Sequence, residues 1–240
     1  NNSTIEFLKS FPDIEIKNQS TDVIGIDFGI KDTLTLSDGR KYNMPDLSKY
    51  EKRLKRLHRQ LSKKQNGSKN REKARLRLAK LYEKITNIKD DWIHKITHKI
   101  VSENQAGKIV VEDLNIKGML KNEKLSKYIH WNSWNKFIVI LNYKTKRNGI
   151  ELIKADRFYA SSQICNVCGY KNEEVKDLRV REWTCPVCGV HHDRDVNAAK
   201  NLANYVMLSV GREPSEFKPV DRAMAAERKE NSSGLRVITG

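Results

Sequence analysis

The 240-residue sequence is short of three things. No apolar run approaches the ~18–20 residues that a membrane-crossing helix needs, and no signal-peptide pattern opens the chain. Membrane proteins and exported disulfide scaffolds are therefore poor descriptions of it. Cysteine is scarce: four residues in all, too few and too clustered for a secreted framework. Negative charge is scarce too, with 30 acidic residues against 46 Lys and Arg, a net charge of +16. A solvated globular surface does not require such an excess, and a polyanion such as nucleic acid is the usual partner. The first residue is Asn, so a fragment or processed form is the expectation.

What is present is concentrated. Between residues 51 and 80 there are thirteen Lys or Arg against Glu51 and Glu72. Mixed charge on a helix would read as solubilising surface, but one sign at this density repels itself unless a polyanion lies nearby. Lys52, Arg53, Lys55, Arg56, Arg59, Lys63, Lys64, Arg71 and Arg75 are the candidate nucleic-acid contacts. The region 46–104 reads as helical. Tyr50, Leu54, Leu57 and Leu61 are spaced 4-3-4, and Ala74, Leu78, Leu81, Ile85, Ile88 and Trp92 continue the rule. The break at 65–70 predicts an antiparallel pair with an apolar seam and a basic outer face.

The four cysteines form two C-x-x-C-G knuckles, Cys165 with Cys168 and Cys185 with Cys188. Two such turns supply four thiolates in the arrangement of a structural zinc site, the competing readings being two disulfides or four unrelated thiols.

Short apolar runs at 23–26, 109–111 and 150–155 read as buried strands, with a weak strand at 14–16 and a hairpin over 33–36 and 40–42. Residues 126–148 look like an amphipathic helix stopped by Gly149. A closing helix is expected over 193–207, with Ala198 and Ala199 allowing close packing, and a loose tail from 210. Asp27 and Glu112 each follow a buried run, where a carboxylate is costly unless paired or metal-bound. With an aspartate from the start of the last helix they would make an oxygen cage suited to Mg²⁺ or Mn²⁺. Taken singly, each could be an ordinary strand-end or capping acid, and Asp193 suits a helix N-cap.

Taken in order, G-I-D-F-G-I around Asp27, I-V-V-E-D-L-N around Glu112, and the two knuckles followed by H-D-R-D-V-N-A-A-K-N resemble the transposon-encoded TnpB (OrfB) family. So do the basic helical pair, W-N-K-F at 134–137, L-N-Y-K at 141–144 and Y-A-S-S-Q-I-C before the first knuckle. The resemblance covers roughly 22–204 and extends to the type V CRISPR effectors. It implies an α/β fold: a ribonuclease H-like (RuvC) core, with an inserted basic helical hairpin and an inserted four-cysteine zinc ribbon. Its parts would be 1–45 and 106–160 for the core, 46–105 for the hairpin, 161–192 for the ribbon, 193–210 for the closing helix and 211–240 for an irregular tail. It implies RNA-guided, metal-dependent DNA cleavage in a bacterial or archaeal cytoplasm, with DNA and a guide RNA as partners, one structural Zn²⁺ and two Mg²⁺ or Mn²⁺ ions. Asp27, Glu112 and Asp195 would be catalytic ligands and Asp193 a supporting or capping residue, although the D-R-D order alone permits the reverse. A long guide-binding region precedes G-I-D-x-G in that family, whereas 26 residues precede Asp27 here. The expectation is a nuclease core without that module. A nucleic-acid binder without catalysis and a strand-joining transposase are the other readings; the full carboxylate set argues for the nuclease.

Overall fold

The computed structural model describes residues 21–103, 106–119, 121, 132–177 and 179–211. The expected strand at 14–16, the first part of the 126–148 helix and the tail after 211 lie outside them. Five strands form one mixed sheet in the order β3-β2-β1-β4-β5. They are β1 (Val23–Asp27), β2 (Leu34–Leu36), β3 (Lys41–Tyr42), β4 (Lys108–Glu112) and β5 (Glu151–Ala155). The first two are antiparallel, as are β2 and β3, whereas β1, β4 and β5 run parallel. Asp27 and Glu112 are the last residues of their strands rather than the first of the loops beyond.

Strand alternation sorts the two faces. Ile24 and Ile26 of β1, Ile109 and Val111 of β4 and Leu152 of β5 pack into the larger core. That core is closed by α2 (Lys69–Glu103) and α4 (Trp134–Arg147). Trp134, Phe137 and Leu141, spaced 3-4 along α4, are almost wholly buried, and the Phe28 ring meets Trp134 at 6.1 Å and Phe137 at 5.9 Å. Each such side chain contributes roughly 1.5–3 kcal/mol through burial. Val110, Ile153 and Ala155 point the other way, onto α5 (Arg194–Gly211), through Leu202 and Val206. A single turn, α3 (Ile116–Met119), follows β4.

α5 lies against β1 at backbone distance. A Cβ on Gly25 would stand 1.9 Å from the Ala199 carbonyl oxygen and 2.6 Å from the Ala203 nitrogen. Neither is a flexible side-chain end, so only glycine fits there. Ala198 and Ala199 are fully buried, as their size led us to expect.

The helical pair predicted over 46–104 is α1 (Ser48–Ser62) and α2. Asp46 accepts hydrogen bonds from both the amide and the hydroxyl of Ser48 at the start of α1. Leu54 and Leu57 of α1 meet Leu78, Leu81 and Ile85 in a seam of their own. α2 is one unbroken helix of 35 residues. Its buried stripe serves α1 through Ile85, then passes to the sheet core at Ile93 and Ile100. Lys89 sits at the changeover, 8% exposed and the one charged residue of the buried stripe.

Two expectations follow. Gly25→Ala should force α5 off β1 and cost about 3 kcal/mol or more, read as a collapse of the thermal transition; a normal melting temperature would refute the close contact. Burial pushes the Lys89 ammonium down to about 8, the Asp90 charge opposing it. Below pH 8 both folded and unfolded states are protonated and the burial cost is present in full. Stability from this group should rise as pH climbs from about 8 toward the ordinary lysine value near ~10.4. Lys89→Met should abolish that rise and stabilise the protein at pH 7. Urea denaturation across the range measures both.

Candidate functional site: an acidic strand-end cluster beside a four-cysteine metal centre

The sheet register brings the acidic residues together. Gly25 pairs with Val110 and Ile26 with Val111 in the parallel β1–β4 ladder, so one step further sets Asp27 beside Glu112. Both belong by alternation to the face that α5 covers. Asp195, in the first turn of α5, interacts electrostatically with both. Asp27 is 8% exposed. Its carboxyl is driven well above the usual carboxylate range by burial first, then by the charges of Glu112 and Asp195. Burial likewise raises Glu112, although Ser161 and Asp27 both hydrogen-bond to it and Arg194 attracts it. The chain therefore gathers more negative charge here than its own cations offset. Arg181 lies 3.7 Å from Asp195 on the far side.

Asp193 stands apart from this group. It is the last residue of β7 (His191–Asp193), which pairs with β6 (Glu182–Thr184) and runs straight into α5. Its Oδ1 accepts from the amides of Asp195 and Val196, both at 3.0 Å, as an N-cap does. Its Oδ2 accepts from Lys41 Nζ at 2.7 Å. Burial works against the charge, but Lys41 and the two amides hold the carboxyl below its ordinary range.

The four cysteines converge. All their sulfurs lie within 4.8 Å of one another, the one such group of potential metal ligands among the described residues. The Cys165–Cys188 and Cys168–Cys185 separations are 3.6 and 3.5 Å. A tetrahedral ion with bonds of ~2.3 Å spaces its sulfurs about 3.8 Å apart, whereas a disulfide needs ~2.05 Å. The thiols are free, and the centre can hold a metal ion such as zinc. Both knuckles close the same way. The Gly169 amide donates to Cys165 O and the Gly189 amide to Cys185 O, each at 2.9 Å, with positive φ of 77° and 73°.

Four residues for which the sequence suggested no role brace the two centres. Ser161 Oγ donates to Glu112 Oε1 at 2.7 Å. Asn201 Nδ2 donates to the Ser161 carbonyl at 2.7 Å and to the Ile164 carbonyl. One turn earlier on α5, Asn197 donates to Ile164 O and accepts from the Asn166 amide. Both asparagines are buried, and their i, i+4 spacing was the available signal. His192 places Nε2 3.1 Å from Cys165 Sγ, and burial pulls its imidazole below the usual range.

The basic face is more varied than a row of free cations. Lys52, Arg53, Lys55, Arg56, Arg59, Lys63 and Lys64 are exposed. Lys52, Lys55, Arg56, Arg59 and Lys63 line a shallow cavity of about 410 Å³ along α1. Arg71 instead donates to the Leu61 and Lys64 carbonyls, fastening the end of α1, and Arg75 is paired with Glu72.

The described residues thus form an α/β protein: a mixed sheet with carboxylates at parallel strand ends and, beside them, four cysteines that could hold a metal ion. The family model OrfB_IS605, "Probable transposase", matches residues 7–123, and "Cas12f1-like, TNB domain" matches 134–202. The chain belongs to the TnpB (OrfB) family. It is 41% identical over 184 residues to a "Putative RNA-guided DNA endonuclease" of Streptomyces pristinaespiralis, covering 76% of this chain and 45% of that one. It is 32% identical over 219 residues to the "Putative RNA-guided DNA endonuclease InsQ" of Escherichia coli K12, covering 84% and 54%. The chain thus spans about half the length of these relatives. Its fold resembles a chain of the solved "CRISPR-Cas12f Ternary Complex", with a TM-score of 0.58 at 22% identity over 88% of this chain and 42% of that chain.

Purified, reduced protein should carry about one tightly held metal ion at the cysteines. Cys185→Ser should release it and loosen the β6–β7 hairpin, because thiolate sites contribute folding energy directly. Metal analysis by mass spectrometry finding none would refute the centre.

Proposed function

We propose that the chain is the nuclease core of an RNA-guided, divalent-metal-dependent DNA endonuclease. The observation that carries this is the meeting of Asp27, Glu112 and Asp195 at one end of the β1–β4 pair, under the first turn of α5. The mixed sheet is read as a ribonuclease H-like (RuvC) core made of 1–45 and 106–160. Into it are inserted a basic hairpin (46–105) and a zinc ribbon (161–192), followed by the closing helix (193–210). The relatives' names support DNA as substrate and RNA as guide, and the bacterial setting supports a cytoplasmic place of action.

An oxygen-only donor set in which burial and crowding penalise every added negative charge fits Mg²⁺ or Mn²⁺. Two such ions would supply Lewis acidity at the phosphate and an activated water for in-line hydrolysis. The chain's own part is positional. Ser161 fixes the Glu112 carboxylate, and Asp193 caps α5 so that Asp195 enters over the strand ends. Arg194 offsets part of the charge before metal arrives. The ribbon, with Zn²⁺ at its cysteines, holds α5 by Asn197 and Asn201. The exposed cations of α1 supply the polyanion-binding face, each neutralised phosphate adding about 0.7–0.9 to the salt slope of binding.

The test uses alanine variants. Asp27→Ala, Glu112→Ala and Asp195→Ala should each remove Mg²⁺-dependent cleavage by several orders of magnitude, and a second change should add little, because the ligands act as one unit. Asp193→Ala should cost only about tenfold, through a lost cap. Metal-free Asp27→Asn should be at least as stable as the parent, since a buried charge is removed. Cleavage is to be measured with the chain alone and with it fused behind the N-terminal half of the 41%-identical relative, with Mg²⁺ and guide RNA. Normal cleavage by Asp195→Ala but not Asp193→Ala would reverse the assignment within D-R-D. No cleavage by either unsubstituted form would overturn the enzyme.

A further inference from the structure

Phe158 is 89% exposed, more than any other large hydrophobic side chain among the described residues. It is not on a loose end. The turn that carries it leaves the C-terminal end of edge strand β5 and is fastened on every side. The Phe158 amide donates to Asp156 Oδ1 at 2.7 Å, and the Tyr159 amide to Asp156 O at 3.0 Å. The Asp156 amide donates to Tyr205 Oη on α5 at 3.1 Å. Tyr159 packs edge-on against the Tyr205 ring and donates its hydroxyl to Asn201 O. A chain held this firmly, and rich in neighbouring aromatic surface, has somewhere to fold an apolar ring away. It presents the ring to solvent instead.

The turn's place is as telling as its exposure. Arg157, immediately before Phe158, reaches Asp113 at 2.7 Å, and Asp113 follows Glu112. Ser161, three residues after it, holds Glu112 itself. Phe158 is thus bracketed by two tethers to the end of β4, one of them to Glu112 of the acidic cluster. Lys154 on β5 is exposed nearby in the chain. An exposed ring on a fixed backbone is the arrangement that stacks the bases of single-stranded nucleic acid, because every base offers a π-face. The pinned turn lowers the ordering cost of binding. A base inside a duplex has both faces already covered, so the ring selects an unpaired strand.

We propose that Phe158 is a stacking platform for one base of the single DNA strand led to Asp27, Glu112 and Asp195. The identity of the strand rests on the nuclease reading; the stacking does not. The test measures binding, without added Mg²⁺, of fluorescein-labelled oligothymidylate and of an equally long oligonucleotide with a central run of abasic sites. The parent chain should prefer the base-bearing strand by roughly 5- to 100-fold. Phe158→Ala and Phe158→Leu should lose that preference while abasic binding stays level, and Phe158→Trp should keep it. The side chain is in solvent, so all three variants should melt like the parent. No preference in the parent, or an undiminished one in Phe158→Ala, overturns the platform. A loss confined to oligouridylate RNA, or an equal loss on duplex DNA, overturns its assignment to an unpaired DNA strand. Because no cleavage is measured, failure of the carboxylate variants to abolish hydrolysis would sink the nuclease reading and leave this result standing, and the converse also holds.

Discussion

The contact on which the architecture turns is the one between Gly25 and the backbone of α5. A helix packed on a sheet through ordinary side chains stands well clear of it, about 10 Å between axis and sheet. Here the Ala199 carbonyl occupies the space where a β1 side chain would begin. That proximity sets α5 flat over β1 and β4 and brings its first turn above their last residues. Asp27 is two residues from Gly25, and Asp195 is four residues from Ala199. The acidic cluster is therefore assembled by a backbone approach, and one methyl group at position 25 would undo it from a distance.

The second constraint is continuity. β7 passes into α5 with no intervening loop, and Asp193 is both the end of the hairpin and the cap of the helix. The cysteine centre consequently fixes where α5 starts. Asn197 and Asn201 then bind the turn before the first knuckle, and Ser161 in that turn holds Glu112. A metal ion held at the cysteines, several bonds removed from the carboxylates, would restrain two of the three.

Much of this was legible in the residues. The 4-3-4 spacing gave the helical pair, the β-branched runs gave the central strands, and C-x-x-C-G repeated gave the metal centre. Ala198 and Ala199 announced a close helix. Other features were not, for physical reasons. Gly25 looks like any strand glycine until its neighbour is known, since a close approach is a property of two segments. Ser161 and Asn201 are small polar residues whose partners lie 37 or more positions away in sequence. Arg71 read as one more cation because composition cannot distinguish a guanidinium facing solvent from one spent on carbonyls. Asp193 and Asp195 are identical side chains, separated only by which of them precedes the helix.

α2 has an uninterrupted run of 35 residues, about 50 Å of rod. Its first half is zipped to α1 and its second half is bedded in the sheet core. No hinge separates them, and the apolar stripe changes partner at Lys89 without a break in the backbone hydrogen bonding. Such a rod behaves as a beam anchored at one end. A polyanion gripped along the cations of α1, as proposed, would be held at a fixed offset from the strand ends, and a push on the outer tip would be felt at Ile93 and Ile100 in the core. On the proposed nuclease reading, the helical pair would be a ruler as well as a handle, its length setting how far along a bound strand the carboxylates would fall.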